Sequence, residues 1–287
     1  MPPAPCLLLV RLGAPRCPSG PRFLAPGVPG LGLWPAALAG LGSPGPARAW
    51  DWRATVVPMP VRAQPLTASG PLGTTRYTVG GVGFDMVRVP PGRFLDGEGA
   101  GRRELLVSRP FEIGVAPVTQ ALWRAVMVAS PSEFRGEDRP VEQASWDDAQ
   151  QLMVALAKRG LPGFRLPTEV EWAWAARCGA PTRWAGADRG KAAAVVSSSQ
   201  TAAVAGLSGS VAGAFDLSGN VWEWVSDWYG QPPLAGVDVQ GPASGSNRVI
   251  RGGSWYDAPR RARVALRGIS PGDRDYALGL RLLRTAP

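Results

Sequence analysis

The sequence predicts an α+β fold with abundant irregular backbone, and three observations predict it. Helix-start signatures fall only between residues 119 and 179. After Pro181 the chain turns to short apolar runs set among Gly, Ser and Trp, the pattern of short strands in long loops. Composition supplies the third: 37 Gly and 30 Pro in 287 residues are many for a globule, yet 45% apolar residues suffice for a buried core.

Residues 1–49 are broken by prolines and show little helical or strand periodicity. They also carry the rough order of a secretory signal: Arg16 and Arg22, an apolar run Leu31–Leu41, then Ala47-Arg48-Ala49 as a small-x-small cleavage site. The prolines and the late position speak against that, so export and a cytoplasmic location stay equally open. No clean apolar run reaches the roughly 18 residues a spanning helix needs, and no membrane span is expected. Residues 50–76 read as a linker and 77–287 as the folded domain.

Within the domain, "FDMVRVPPGRFLDG" predicts a short alternating strand and a turn. "PVTQALWRAVM" predicts a helix capped by Thr119, with Leu122, Val126 and Met127 on one face. In "SWDDAQQLMVALAKRG" Ser145 caps, Asp148 answers three residues on, and Gly160 stops the helix. "PTEVEWAWAARCG" repeats the device with Thr168 and Glu171, ending at Gly179, and puts Cys178 in the last turn as a small core residue. The closely spaced Trp172 and Trp174, and Trp222, Trp224 and Trp228, are expected to fill a core whose backbone is irregular.

Composition also excludes chemistry. There is no histidine, which removes Ser-His-Asp and Cys-His nucleophiles and every histidine-ligated metal. The cysteines are Cys6, Cys17 and Cys178, without a CxxC pair, so neither a zinc cluster nor a disulfide framework is expected. The net charge of +9 is almost wholly arginine, with lysine only at Lys158 and Lys191. No basic helix interleaved with aromatics accompanies it, so no nucleic-acid partner is expected. Oligomeric state is not legible.

Three long segments in order, "RPVEQASWDDAQ", "GFRLPTEVEWAWAAR" and "DLSGNVWEWVSDWY", are followed by "RVIRGGSW" and "GLRLLR". Together they resemble the formylglycine-generating enzyme (sulfatase-modifying factor) family over roughly residues 80–287. The resemblance implies a C-type lectin-like fold with short twisted sheets, two or three helices and many loops. It also implies a structural calcium ion at Asp216, Gly219, Val221 and Glu223, which offer two carboxylates and two carbonyls over a bent loop. The competing reading is an Asp turn with Glu223 salt-bridged to an arginine. A second calcium site found in some relatives needs an Asn near "AAAVVSSSQ", and none is there.

The oxygen chemistry of that family does not carry over. Its members that make formylglycine bind copper(I) through a cysteine pair shortly after the GGS turn, and soft thiolates are what select that ion. Here Gly252-Gly253-Ser254 is followed by Trp255 to Ala262 with no cysteine. A sulfoxide-synthase relative needs histidine-bound iron. No copper or iron is therefore expected, and the reading leans away from an enzyme.

The closing segment, 248–287, resembles instead the variable proteins of diversity-generating retroelements, which implies a bacterial protein. Arg248, Gly252, Gly253, Ser254, Trp255, Pro259, Arg263, Arg267, Pro271, Arg274, Gly279 and Arg281 stand in their frame. Between frame residues lie the candidate ligand-binding positions Tyr256, Asp257, Ala258, Arg260, Arg261, Leu266, Gly268, Ile269, Ser270, Asp275, Tyr276 and Ala277. An adenine-mutated Asn codon ending in a pyrimidine never yields Lys, Gln, Glu, Met or Trp, and residues 256–287 contain none of them. The function expected is non-catalytic binding of a protein or surface ligand through this segment. The alternative is a family enzyme with a carboxylate-and-tyrosine site at Asp257 and Tyr256. The frame arginines Arg251, Arg263, Arg267 and Arg281 are expected to bond loop carbonyls and the acidic helices.

Overall fold

A computed structural model describes residues 64–65, 73–187, 194–207, 209–232 and 235–285. The N-terminal signal reading lies outside these residues, as does most of the linker. Strand β1 (Gln64–Pro65) pairs with β2 (Thr74–Val79), so ordered sheet begins before residue 77. β2 turns into β3 (Val82–Val89) through Gly80-Gly81, both at positive φ. Two consecutive residues at positive φ make the turn whose twist matches a hairpin. Pro90-Pro91 then separates β3 from β4 (Gly92–Asp96), where the sequence predicts one strand and a turn.

The three helices form where their caps predict. Thr119 accepts from the Leu122 amide to start α1 (Gln120–Val126). Complete capping boxes, Ser145 with Asp148 and Thr168 with Glu171, start α2 (Trp146–Lys158) and α3 (Glu169–Arg177). Cys178 is not inside the last turn of α3. It is the C-cap, left-handed at φ 42°, half-buried, with burial raising its thiol pKa.

Three sheets organise the rest. β2 and β3 continue through β6 (Phe111–Gly114), β13 (Leu283–Thr285) and β7 (Phe164–Arg165), so the C-terminal strand is inserted between two earlier ones. A four-stranded sheet runs β11 (Arg267–Ser270), β10 (Arg248–Arg251), β8 (Trp222–Trp228), β12 (Leu278–Leu280), with β12 parallel to β8. A three-stranded sheet joins β4, β5 (Arg103–Val107) and β9 (Gly236–Val237).

β8 is the wall between two cores. Successive strand side chains point to opposite faces. Trp222 and Trp224 enter the core that includes Leu122, Leu152 and Leu278. Val225 enters the core built on Trp172, Ala173 and Ile113. Of the five tryptophans assigned to packing, four are buried, while Trp228 is half-buried and holds the Arg248 guanidinium against its face, with Trp146 opposite.

Glu223, between those tryptophans, is fully buried and so is Arg281. Arg281 Nη2 donates to Glu223 Oε1 at 2.7 Å and Nε to Oε2 at 3.0 Å. The same guanidinium reaches the carbonyls of Gly114 at 2.7 Å and Phe215 at 2.6 Å. Trp172 Nε1 completes the carboxylate at 2.6 Å. Arg251 and Arg267 meet likewise on Glu169 at the start of α3, each at 2.6 Å. The expectation for these frame arginines holds.

Glu142 is the opposite case. It is fully buried, its Oε1 accepts the Phe134 amide at 2.9 Å, and its Oε2 has no partner. Burial pushes its pKa from 4.5 up to about 7, only partly offset by the Phe134 and Glu133 amides and by the charge of Arg135.

Two outcomes follow from this packing. Glu223→Gln or Arg281→Met strands a buried charge and should each cost about 3–5 kcal/mol, read as a lower urea midpoint at unchanged slope. Glu142 binds its proton more tightly folded than unfolded, so its contribution is complete below pH 4.5 and is lost as pH rises through about 7. Stability should fall on the order of 3 kcal/mol across that window, and Glu142→Gln should flatten the profile.

Candidate functional site

The loop after β10 begins with two glycines that the chain needs as glycines. Gly252 and Gly253 sit at φ +100° and +75°, and a Cβ on Gly253 would stand 2.7 Å from the Ala262 Cα. This reversal sends Ser254 and Trp255 back into the fold, where Trp255 donates its amide to Asn220 at 2.9 Å. The next residue is thrown outward. Tyr256 is 64% exposed, while Trp255 beneath it is 6% exposed.

Asp257 turns inward again. Its Oδ2 accepts from Trp222 Nε1 at 2.8 Å, Ser254 Oγ at 2.8 Å and the Ser254 amide at 3.1 Å. Its Oδ1 takes Arg261 Nη1 at 3.2 Å. The carboxylate is thus saturated and buried, and it locks the turn rather than facing a ligand. The following Pro259–Ala262 stretch is a single 3-10 turn, pinned where Trp184 Nε1 donates to the Pro259 carbonyl at 2.9 Å.

Four of the candidate ligand-binding residues are therefore misplaced by the sequence reading: Asp257, Gly268, Ser270 and Ala277 are buried. Gly268 lies under Trp222 and Ile250, where a Cβ would meet Ile250 Cγ1 at 2.6 Å. Ser270 and Ala277 face inward by the alternation of β11 and by packing against the first core. Tyr256 and Arg260 are exposed, and Ala258, Arg261, Leu266, Ile269, Asp275 and Tyr276 are half-buried. Asp275 Oδ1 accepts the Ala277 amide at 2.7 Å, holding the loop that carries Tyr276, and burial raises the pKa of both Asp275 and Tyr276.

What the surviving residues build is an aromatic platform. Trp255 packs edge-on against Tyr256 at 5.6 Å and tilted against Tyr276 at 5.7 Å between ring centroids. Phe134, from the loop before α2, closes the group with an edge-on contact to Trp255 at 5.2 Å. Sequence reasoning missed Phe134, since it sits alone among polar neighbours in "PSEFRGED". The platform has a buried indole as its base and a phenol projecting to solvent.

The residues named for calcium do not fit that ion as they are arranged. Both oxygens of Glu223 are bonded to Arg281, so a cation would compete with a guanidinium for the same carboxylate. Asp216, left-handed at φ 57°, accepts the Ala205 amide on Oδ2 at 2.7 Å, and burial raises its pKa, with that amide and Arg281 opposing the rise and Glu223 adding to it. Val221 is fully buried, and Gly219 at φ +86° packs its α-carbon against the Val195 backbone. This is the arginine-bridged turn, with Arg281 supplying the positive charge. The carboxylate-and-tyrosine site is not assembled either, since Asp257 is closed off below and Tyr256 stands outside. A cavity of about 580 Å³ is lined instead by Trp146, Arg165, Glu171 and Arg248.

The solved "Treponema denticola variable protein 1" is 31% identical, with a TM-score of 0.69 over 74% of this chain and 99% of its own. The formylglycine-generating enzyme of Streptomyces coelicolor is 35% identical over 196 residues, 59% of this chain and 60% of that enzyme. The chaperone protein LppX of Paenibacillus barcinonensis is 26% identical over 65% of this chain and 84% of its own length. The chain thus spans less than two thirds of the enzyme it matches. The model of the sulfatase-modifying factor enzyme 1-like domain matches residues 81–286, from the first hairpin to the last strand. With all three helices, the β8 wall and the GGSW turn inside that match, the chain belongs to the sulfatase-modifying factor enzyme 1-like family and carries a formylglycine-generating enzyme-like, C-type lectin-like fold.

Proposed function

We propose that this domain is a non-catalytic binding module whose ligand, a protein or surface partner, docks on the loops after Trp255. The observation that carries the reading is Tyr256, 64% exposed on a buried Trp255 base. A rigid aromatic with an apolar body and a polar tip is the kind of anchor binding surfaces use, and here it loses little freedom on binding because its neighbours are already fixed. Arg260, exposed on the same loop, favours an anionic partner surface.

Three facts support binding over catalysis. The chain lacks histidine, and no cysteine follows the GGS turn. Asp257, the carboxylate an enzyme would need there, has each oxygen engaged. Similarity to a variable protein adds the sharper version, that the segment is rewritten by a retroelement. A surface can be re-lettered only where side chains are not structural, so variation would fall on Tyr256, Ala258, Arg260, Ile269 and Tyr276, and not on Arg261, which holds Asp257. Asp257, Gly268, Ser270 and Ala277 would stay constant.

Sequencing the 3′ end of the gene from many cells tests that version. Adenine-directed variation at the first group, with an imperfect copy nearby, is expected; a clonal end with no copy sinks diversification and leaves a fixed binder. A stability comparison tests the platform itself. Tyr256→Ala and Arg260→Ala should stay within about 0.5 kcal/mol of wild type, while Asp257→Ala should cost about 2–4 kcal/mol. Equal losses for Tyr256→Ala and Asp257→Ala would make Tyr256 a structural residue and end the proposal.

A further inference from the structure

A second polar site lies under the glycine-rich turn after β4. A cavity of about 340 Å³ is lined by Arg102, Arg177, Arg183, Arg263, Glu98 and Thr182, among others. Its charge is unbalanced. Glu98 is taken by Arg263 at 2.7 Å. Asp96, just behind the wall, is shared among Arg103 at 2.8 Å, Arg177 at 3.9 Å and Arg251 at 4.0 Å. Four lining guanidiniums therefore have Glu98, paired to one of them, and a share of Asp96, which also serves Arg103 and Arg251.

Its hydrogen bonding is incomplete in the same place. Arg177 is 7% exposed and donates Nη1 to the Thr182 carbonyl at 3.2 Å, yet its Nε has no partner. Thr182 Oγ1 is also buried without a partner, and so is Asp96 Oδ1, which stands beyond hydrogen-bond length from Arg177. Arg102 and Arg183 are exposed and make no side-chain ion pair or hydrogen bond among the described residues. A buried donor left unmet is costly, and one on a buried guanidinium more so. Burial lowers the Arg177 pKa, partly offset by Asp96.

One class of ligand answers the excess of donors and of positive charge, while Asp96 Oδ1, an acceptor, is left to the guanidiniums around it. A tetrahedral dianion supplies the two missing negative charges and accepts from donors in several directions, which a planar carboxylate monoanion does not. Gly97 and Gly99, both at positive φ, form the turn that lines one side of the cavity, and a Cβ on Gly97 would meet the Gly101 carbonyl at 2.6 Å. We propose that this cavity binds a phosphate-class dianion, with Thr182 Oγ1 donating to it and the Arg102, Arg177 and Arg183 guanidiniums supplying the positive charge. The site is separate from the aromatic platform, and neither reading depends on the other.

The test is thermal denaturation and calorimetry of the full chain titrated with inorganic phosphate, ionic strength held constant with sodium chloride. A saturable rise in Tm is expected. Arg102→Gln with Arg183→Gln, which removes two unpaired exposed cations, should leave the unliganded Tm unchanged and weaken phosphate about tenfold per arginine. Thr182→Val should weaken it further. Phenyl phosphate separates the sources: tighter binding than inorganic phosphate assigns the site to a phosphate monoester, and binding of inorganic phosphate alone assigns it to the free ion. A rise that sodium chloride reproduces, or one unchanged in the double variant, would overturn the proposal.

Discussion

The guanidinium of Arg281 is fully buried, and everything around it is arranged to make that tolerable. Its bonds run to Glu223 on β8, to the end of β6 at Gly114 and to the loop at Phe215, so one side chain joins both large sheets and the turn before β8. A charge so deep in the interior is stable only when paired and hydrogen-bonded on every side. The pairing commits β8 to its register, and with it Trp222 and Trp224 to one core and Val225 to the other. It also commits Glu223, which is why the turn of Asp216 to Glu223 is held by an internal cation.

From β8 the constraint passes to the surface. Trp222 reaches the Asp257 carboxylate, which ties back to Ser254 and Arg261. The turn is therefore anchored from below, and Tyr256, the residue between two inward-facing neighbours, has only solvent to point toward. Loops built this way keep their backbone while their outward side chains change, because the outward residues hold nothing up. The same logic separates the candidate positions into a presenting set and a supporting one, the latter including Arg261, Leu266 and Asp275 with the four buried residues.

Legibility followed range. Caps and helix ends were readable because each depends on residues three or four apart: Thr119 with Leu122, Ser145 with Asp148, Thr168 with Glu171. The frame arginines were readable as structural, though their partners were not. Asp257, Gly268, Ser270 and Ala277 looked like surface because mixed chemistry between frame residues carries no record of which face it takes. Only the pairing of β11 on β10, and the indole of Trp222 beneath, made them interior. Phe134 was invisible for the opposite reason, being an isolated aromatic more than 100 residues from the tryptophan it covers.

By itself the sequence determined the fold class, the three helices and the absence of cysteine and histidine chemistry after the GGS turn, since local periodicity, capping and the presence of a residue type need no third dimension. Tertiary structure alone decided which residues of the last segment face water, that Arg281 bonds both oxygens of the Glu223 carboxylate, and that four arginines line the cavity under the Gly97 turn. Those outcomes rest on contacts between residues as far apart as Arg263 and Glu98, and burial and charge balance are properties of the assembled neighbourhood rather than of any stretch of chain.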